Sequence, residues 1–347
     1  MKPKISKQCS ARFAHLEPVQ LSNLIDRADQ LRRRSNAPAG PLDAWIDRVL
    51  RADQRRLGQA INTRCGIVSG VFGATALVDL AGETLRAEAG THPVVAGDQV
   101  TVAEIGGNLT IVKLQPRRTK LSRPDVGTGG EQVIIANIDV VVIVVSVASP
   151  PLHPRLIDRY LVAIQQGGAE SAVFVNKLDQ LTDPSELDCL NPYIKSGVPV
   201  LMGSAAERSG FEELQAHLRG RVCAFVGHSG VGKSSIVNRL APSAQLDTGS
   251  VSEGYGRGTH TTTTSSRHCL ADGTVLIDTP GGRSFGLYRL TSEEIVASFP
   301  EFAGCECRFA DCTHTHEPGC GVREALDSGH LSLVRYEAYV RLRDELR

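Results

Sequence analysis

The chain has 347 residues, enough for two or three domains with cores of their own. Its 38 basic and 38 acidic side chains cancel, which excludes a chain-wide field that would declare a nucleic-acid partner and confines any such surface to a local patch. The longest apolar run, Val140 to Ala148, is far too short to span a bilayer, and no apolar leader opens the sequence, so a soluble cytoplasmic protein without a membrane partner is expected. Nine cysteines, an odd number with four crowded between Cys305 and Cys320, suit a reducing compartment and a metal site better than a disulfide framework.

Residues 1–60 read as a helical extension. Leu21, Leu24, Ile25, Ala28 and Leu31 recur at helical spacing, as do Leu42, Trp45, Ile46, Val49 and Leu50, with a break at Asn36 to Pro41. The stretch carries 12 Lys/Arg against 6 Asp/Glu, a balance that permits contact with RNA phosphates and equally describes two solvated amphipathic helices. From 61 to 123 the texture changes to short β-type segments, Gly66–Val68, Ala76–Val78, Gln99–Val102 and Leu109–Val112, separated by glycine-bearing turns. Such spacing predicts a small antiparallel barrel of the OB type. Arg117, Arg118, Lys120 and Arg123 crowd its end with no acid between them and suggest a phosphate-contacting patch or a solvated linker.

The chain from 124 to 289 carries nucleotide chemistry. Val133 to Val147 is a near-continuous β-branched run, as expected of a strand buried on both faces of a parallel sheet. A helix over 155–165 and a second apolar strand, Ala172–Val175, lead to Asn176-Lys177-Leu178-Asp179. At a strand end, N-K-x-D suits guanine: the Asp179 carboxylate accepts from the N1–H and 2-amino group together, Asn176 meets the N7/O6 edge and the Lys177 stem covers the base face. Adenine offers Asp179 neither donor, which argues against an ATPase. Ser204-Ala205 stands where GTPases place a turn whose backbone meets the base.

Next comes a complete phosphate loop, Gly227-His228-Ser229-Gly230-Val231-Gly232-Lys233-Ser234, followed by Ser235 and set between the strand Val222–Val226 and a helix. Its glycines allow successive N–H groups to turn inward, Lys233 reaches the β- and γ-phosphates and Ser234 ligates Mg²⁺. Beyond it, Gly254 to Thr264 is glycine- and threonine-rich and suits a switch loop, with Thr261 and Thr262 near Mg²⁺ and the γ-phosphate. The strand Val275–Ile277 ends in Asp278-Thr279-Pro280-Gly281, where Asp278 holds Mg²⁺ through water and the Gly281 N–H senses the γ-phosphate. The position after that motif is Gly282, so no side chain there orients an attacking water; His260, inside the switch loop, is the nearest polar candidate for that catalytic role.

A second cluster lies near the C-terminus. Cys305, Cys307, Cys312, His314, His316 and Cys320 compete for the four places of a tetrahedral structural zinc site.

Because base reading precedes phosphate binding, the chain reads as a circularly permuted GTPase. Asn137-Ile138-Asp139, Asn176 to Asp179, Gly227 to Ser235, Gly256-Arg257-Gly258 with His260-Thr261-Thr262, Asp278 to Gly281 and the cysteine cluster together resemble the bacterial ribosome small-subunit-dependent GTPases of late 30S assembly. The resemblance covers about residues 64 to 340 and departs from the family at Thr259, where an arginine is usual. It implies a multidomain α/β protein: the helical extension over 1–60, an OB-type β-barrel over 61–123, a circularly permuted P-loop GTPase domain over 124–289 and a helical zinc-binding domain over 290–347. It implies hydrolysis of GTP to GDP and phosphate, stimulated by the small (30S) ribosomal subunit, contact with 16S rRNA, and Mg²⁺ and one structural Zn²⁺ as cofactors; a monomer is expected. The family pattern C-x4-C-x-H-x5-C selects Cys307, Cys312, His314 and Cys320 as the zinc ligands. A scaffold that binds RNA and turns GTP over only slowly is the alternative reading.

Overall fold

The computed structural model describes residues 61–125, 130–242, 266–278, 287–288 and 290–345, with parts of two helical segments between 24 and 49. Among the described residues no helix is long and apolar enough to cross a membrane. The chain forms two compact units, one holding Met1–Arg117 and Pro124–Asn137, the other Arg118–Arg123 and nearly all of the chain after Ile138.

In the first unit the two helical repeats share one core: Leu24, Ala28, Leu42, Trp45, Ile46 and Val49 are buried together. The barrel follows, with strands β1 (Ile61–Phe72), β2 (Thr75–Leu80), β3 (Glu83–Glu88), β4 (Gln99–Ile105) and β5 (Asn108–Leu114) in the closed order β1-β2-β3-β5-β4. β4 pairs back on β1, which closes the sheet and removes its edges. Alternating residues fill the interior, among them Val68, Val78, Val100, Val102 and Ile111. The β4–β5 turn is Gly106-Gly107, both at positive φ, which matches the twist of the flanking strands. β3 escapes a hydrophobic reading because its sequence, ETLRAE, buries only Ala87.

The basic stretch after the barrel is not an open patch. Arg117 holds the buried Asp98 carboxylate, with Nε at 2.7 Å from Oδ1, and its Nη2 also donates to the Pro93 carbonyl at 2.8 Å. Asp98 in turn accepts from the Val95 N–H at 2.8 Å, so Arg117 clamps a barrel loop. Arg118, whose side chain is 63% exposed, pairs with Asp139 at 2.6 Å. β6 (Lys120–Pro124) continues from there as a strand.

The run from Val133 to Val147 is two strands, β7 (Glu131–Ala136) and β8 (Val140–Ser146), and they belong to different sheets. Asn137 breaks it: its φ is 55°, a left-handed conformation that asparagine tolerates, and its Nδ2 donates to the Gly97 carbonyl at 2.9 Å. Only β8 is buried at every position, as a central strand requires.

β8 lies inside a six-stranded sheet ordered β10-β9-β8-β11-β13-β12. The other members are β9 (Glu170–Asn176), β10 (Val200–Met202), β11 (Val222–Val226), β12 (Ser266–Cys269) and β13 (Val275–Asp278). β8 pairs in parallel with both β9 and β11, and β11 with β13. Helices α1 (Pro154–Gln166), α2 (Asn191–Lys195), α3 (Phe211–Leu218) and α4 (Lys233–Leu240) connect these strands. The N-K-x-D segment and the phosphate loop therefore leave the carboxyl ends of β9 and β11, the two parallel strands that flank β8, where open α/β sheets bind ligands.

The same unit ends in α5 (Ser292–Ala297), α6 (Gly321–Asp327) and α7 (Leu333–Asp344). Thr291 and Glu294 form a reciprocal capping box that fixes the start of α5. Ile295, Phe299, Phe302, Val322, Tyr339 and Leu342 pack with Val162 of α1 in one apolar cluster, which joins this region to the sheet. Within the joint, Arg335 of α7 is buried and donates to Asp158 of α1 at 2.7 Å and to Glu301 at 2.6 Å. The Tyr193 hydroxyl adds a hydrogen bond to Asp158 at 2.9 Å, and the guanidinium lies 4.4 Å from the Phe299 ring centroid.

Candidate nucleotide and metal sites

β9 ends at Asn176, whose side chain is almost wholly buried. Its Oδ1 accepts the Ala205 N–H at 2.9 Å and its Nδ2 donates to the Val231 carbonyl at 2.8 Å. One carboxamide thus ties the end of β9, the Ser204-Ala205 turn and the phosphate loop together, segments up to 55 residues apart in sequence. Lys177 follows at φ 64°, and its Nζ donates to the Ser149 and Ala148 carbonyls at 2.7 and 3.3 Å, which ties the end of β9 to the loop after β8. Leu178 and Asp179 form a short 3-10 turn, held where the Leu178 N–H donates to Gly203 at 3.2 Å. The Ser204 hydroxyl donates to the Asp179 carboxylate and itself accepts from the Glu207 N–H at 3.2 Å. Asp179 is thereby oriented at the wall of a cavity.

The phosphate loop leaves β11 at Gly227 and enters α4 at Lys233. Two of its glycines are demanded by their surroundings. A Cβ on Gly227 would lie 2.2 Å from the Val144 carbonyl of β8, and one on Gly232 would lie 2.3 Å from the Asn176 amide, so a side chain at either would push the two halves of the site apart. Lys233 Nζ donates to the Gly227 and His228 carbonyls at 2.8 and 2.7 Å, lying along the loop, while Ser234 and Ser235 fall in the first turn of α4. His228, Ser229, Gly230 and Val231 complete the loop, with Val231 buried in the core beneath it. A cavity of about 500 Å³ opens between these segments, lined by Asn176, Lys177, Asp179, Ala205 and Gly232. Its size and its convergent polar groups suit a nucleoside.

Two contributors escape a motif reading. Tyr160 of α1 meets the Gly227 backbone with its hydroxyl, and burial raises its pKa. Arg239, on the far end of α4, reaches the carbonyls of Ala205 and Ala206 at 2.9 and 3.4 Å. Neither lies in a recognised box, because both act through the fold. Asp278 is the last residue of β13, beside β11, and its side chain lies outside the described residues, as do His260, Thr261, Thr262 and Gly281.

Near the C-terminus the fold selects four ligands from six candidates: the donor atoms of Cys307, Cys312, His314 and Cys320 lie within 4.8 Å of one another. Cys307 Sγ is 3.9 Å from Cys320 Sγ, and His314 Nδ1 is 3.4 Å from Cys307 Sγ and 3.6 Å from Cys320 Sγ. Tetrahedral zinc with ordinary bond lengths separates two sulfurs by about 3.8 Å and a sulfur from a nitrogen by about 3.6 Å. The donor set therefore fits zinc. His316 stays outside, its side chain 79% exposed.

The loop around these donors is fastened independently of any metal. The Glu317 carboxylate accepts from the Thr313 hydroxyl and from the N–H groups of Thr313, Thr315 and His316, and these bonds, the Thr313 hydroxyl first, hold its pKa well below the usual carboxylate range. Tyr336 and Tyr339 of α7 donate to the His314 and Thr313 carbonyls at 2.9 and 2.8 Å. Burial raises the pKa of the Cys312 thiol and lowers that of His314. A bound divalent cation reverses the first effect, because a coordinating thiol is deprotonated.

A parallel sheet with a phosphate loop on one strand and N-K-x-D on an earlier one defines a circularly permuted GTPase. The RsgA GTPase family model matches residues 114–288, and the chain belongs to that family. It is 39% identical over 264 residues to the small ribosomal subunit biogenesis GTPase RsgA of Gemmatimonas aurantiaca, spanning 74% of this chain and 86% of that protein. Among solved structures, YjeQ from Thermotoga maritima aligns at TM-score 0.67 and 30% identity, over 82% of this chain and 99% of that one. YloQ, described as a circularly permuted GTPase, shares the fold at TM-score 0.64 and 22% identity, over 82% of this chain and 95% of that one.

Proposed function

We propose that the protein binds the small ribosomal subunit, acts late in its maturation and hydrolyses GTP to GDP and phosphate at a rate the subunit stimulates. The observation that carries this reading is the single site in which Asn176 ties the base-reading loops to the phosphate loop, in a chain whose relatives are named small ribosomal subunit biogenesis GTPases. In this reading Asp179 takes the guanine N1–H and 2-amino group, Lys177 covers the base, and the amides from Gly227 to Ser235 cradle the phosphates. Lys233 leaves the loop carbonyls to meet the β- and γ-phosphates. Ser234, Asp278 and a hydroxyl of Thr261 or Thr262 hold Mg²⁺, which supplies charge stabilisation at the transferring phosphoryl group. His260 orients the attacking water when the subunit is bound.

Cys307, Cys312, His314 and Cys320 hold one Zn²⁺ as a structural staple, since all four places are filled by protein. The partner surface is 16S rRNA, met by the domains over 61–123 and 290–347, which precede and follow the GTPase domain over 124–289 in sequence, and the protein works as a cytoplasmic monomer. GTP turnover measured with and without purified small subunits tests the proposal. A rate that rises by well over tenfold with subunits is expected; turnover that ignores them points to a scaffold with GTP as a standing ligand.

A further inference from the structure

The base-reading turn and the phosphate loop meet at Asn176, and a second tie between them involves Arg239. Arg239 is on the last turn of α4, the helix that the phosphate loop opens, and it lines the same cavity as Asp179 and Ala205. Its Nε donates to the Ala205 carbonyl at 2.9 Å and its Nη2 to the Ala206 carbonyl at 3.4 Å. Peptide units are planar and trans, so fixing two consecutive carbonyls also fixes the direction of the Ala206 and Glu207 N–H groups. The Glu207 N–H supports the Ser204 hydroxyl that orients Asp179, and the Ala205 N–H holds Asn176. Arg239 therefore stands behind Asp179, through the Glu207 N–H and the Ser204 hydroxyl.

We propose that Arg239 is a positioning residue for guanine selectivity, a charged clamp that holds the Ser204–Ala206 turn in base-reading register through its carbonyls. A planar guanidinium reaches both carbonyls at once, whereas an ammonium at the end of a lysine presents a point charge and holds one at a time. The clamp acts on the base half of the site. The phosphate half shares the Asn176 carboxamide with the base half but has supports of its own, the close packing of Gly227 on β8 and the Lys233 bonds to the Gly227 and His228 carbonyls.

The inference rests on the guanine reading of the cavity, and the experiment separates the two. Dissociation constants for GTP, GDP, ATP and magnesium tripolyphosphate are measured with wild-type protein, Arg239→Ala and Arg239→Lys. Loss of the two charge-assisted bonds weakens GTP and GDP binding roughly tenfold, chiefly through faster dissociation. The GTP-over-ATP ratio shrinks by the same factor, tripolyphosphate binding stays within about twofold, and the lysine variant falls between. In turnover the loss falls on KM more than on kcat. Thermal unfolding checks that both variants fold as wild type does. A wild type that prefers GTP while Arg239→Ala keeps the same selectivity overturns the clamp alone, as does an equal loss for GTP and tripolyphosphate. A wild type that binds ATP as tightly as GTP overturns the guanine reading and the clamp with it.

Discussion

Asn176 uses its carboxamide on two backbone groups from other loops rather than on a base edge as its motif suggests, and in the proposed reading this leaves Asp179 to distinguish guanine from other bases. Ser204 orients that carboxylate from behind. Asp179→Asn is accordingly expected to weaken GTP binding and favour xanthosine triphosphate, because the new amide donates to the 2-oxo group that replaces the guanine amine. A competition titration with an unchanged GTP/XTP ratio removes Asp179 from the base pocket. His260 lies outside the described residues, and its assignment rests on Gly282, which offers no side chain for water. With saturating small subunits, His260→Ala should bind GTP as wild type does yet lose roughly a hundredfold in stimulated rate. Stimulated rates within a few fold of each other leave the water to backbone groups or to the ribosome.

At the scale of elements, α1 joins three parts of the second unit. Tyr160 meets the phosphate loop, Val162 enters the C-terminal apolar cluster and Asp158 pairs with Arg335 of α7. Burial lifts the Asp158 carboxyl above its usual range, with the Arg335 guanidinium pulling the other way, so the pair is tightly dependent on both members. Arg335→Ala strands the Asp158 and Glu301 carboxylates in the interior and should destabilise this unit by about 3–5 kcal/mol. Denaturant unfolding followed by far-ultraviolet dichroism measures it; a cost below about 1 kcal/mol would mean that water or protonation relieves both carboxylates. The cysteine loop is a different kind of element, because the charge of its thiols needs a cation. Cys312→Ala is expected to lower zinc content from one per chain and to loosen the region after Leu290, leaving GTP affinity largely intact. Full zinc in that variant, by metal analysis, would move the site to another ligand set.

For the whole molecule, permutation matters more than any one box. The strand that ends at Asp278 runs on in sequence to the cysteine region, and the barrel segment precedes the N-K-x-D half, so in the proposed reading nucleotide state has a covalent route to both of the regions proposed to meet the subunit. If the proposed docking uses the zinc region, a zinc-depleted Cys312→Ala protein should keep its intrinsic turnover and lose most of the subunit-dependent increment. An increment equal to wild type in a parallel assay would place docking elsewhere.

The local chemistry was legible in residue order because phosphate loops, N-K-x-D and a run of metal ligands are short motifs whose spacing is imposed by the ligand. Barrel strands with alternating apolar residues were legible for the same local reason, and β3 was not, since its single buried residue leaves no period to read. Resemblance to a known family narrowed the metal ligands from six candidates to four, and the tertiary structure brought those four together. Only the tertiary structure decided that Val133–Val147 is two strands, because the break depends on Asn137 finding the Gly97 carbonyl 40 residues away. It likewise turned Arg117 from a candidate phosphate contact into a clamp on buried Asp98, and brought Arg239 and Tyr160 to the candidate nucleotide site from positions outside every motif. Motifs specify which groups meet a ligand; long-range packing specifies which groups hold them there.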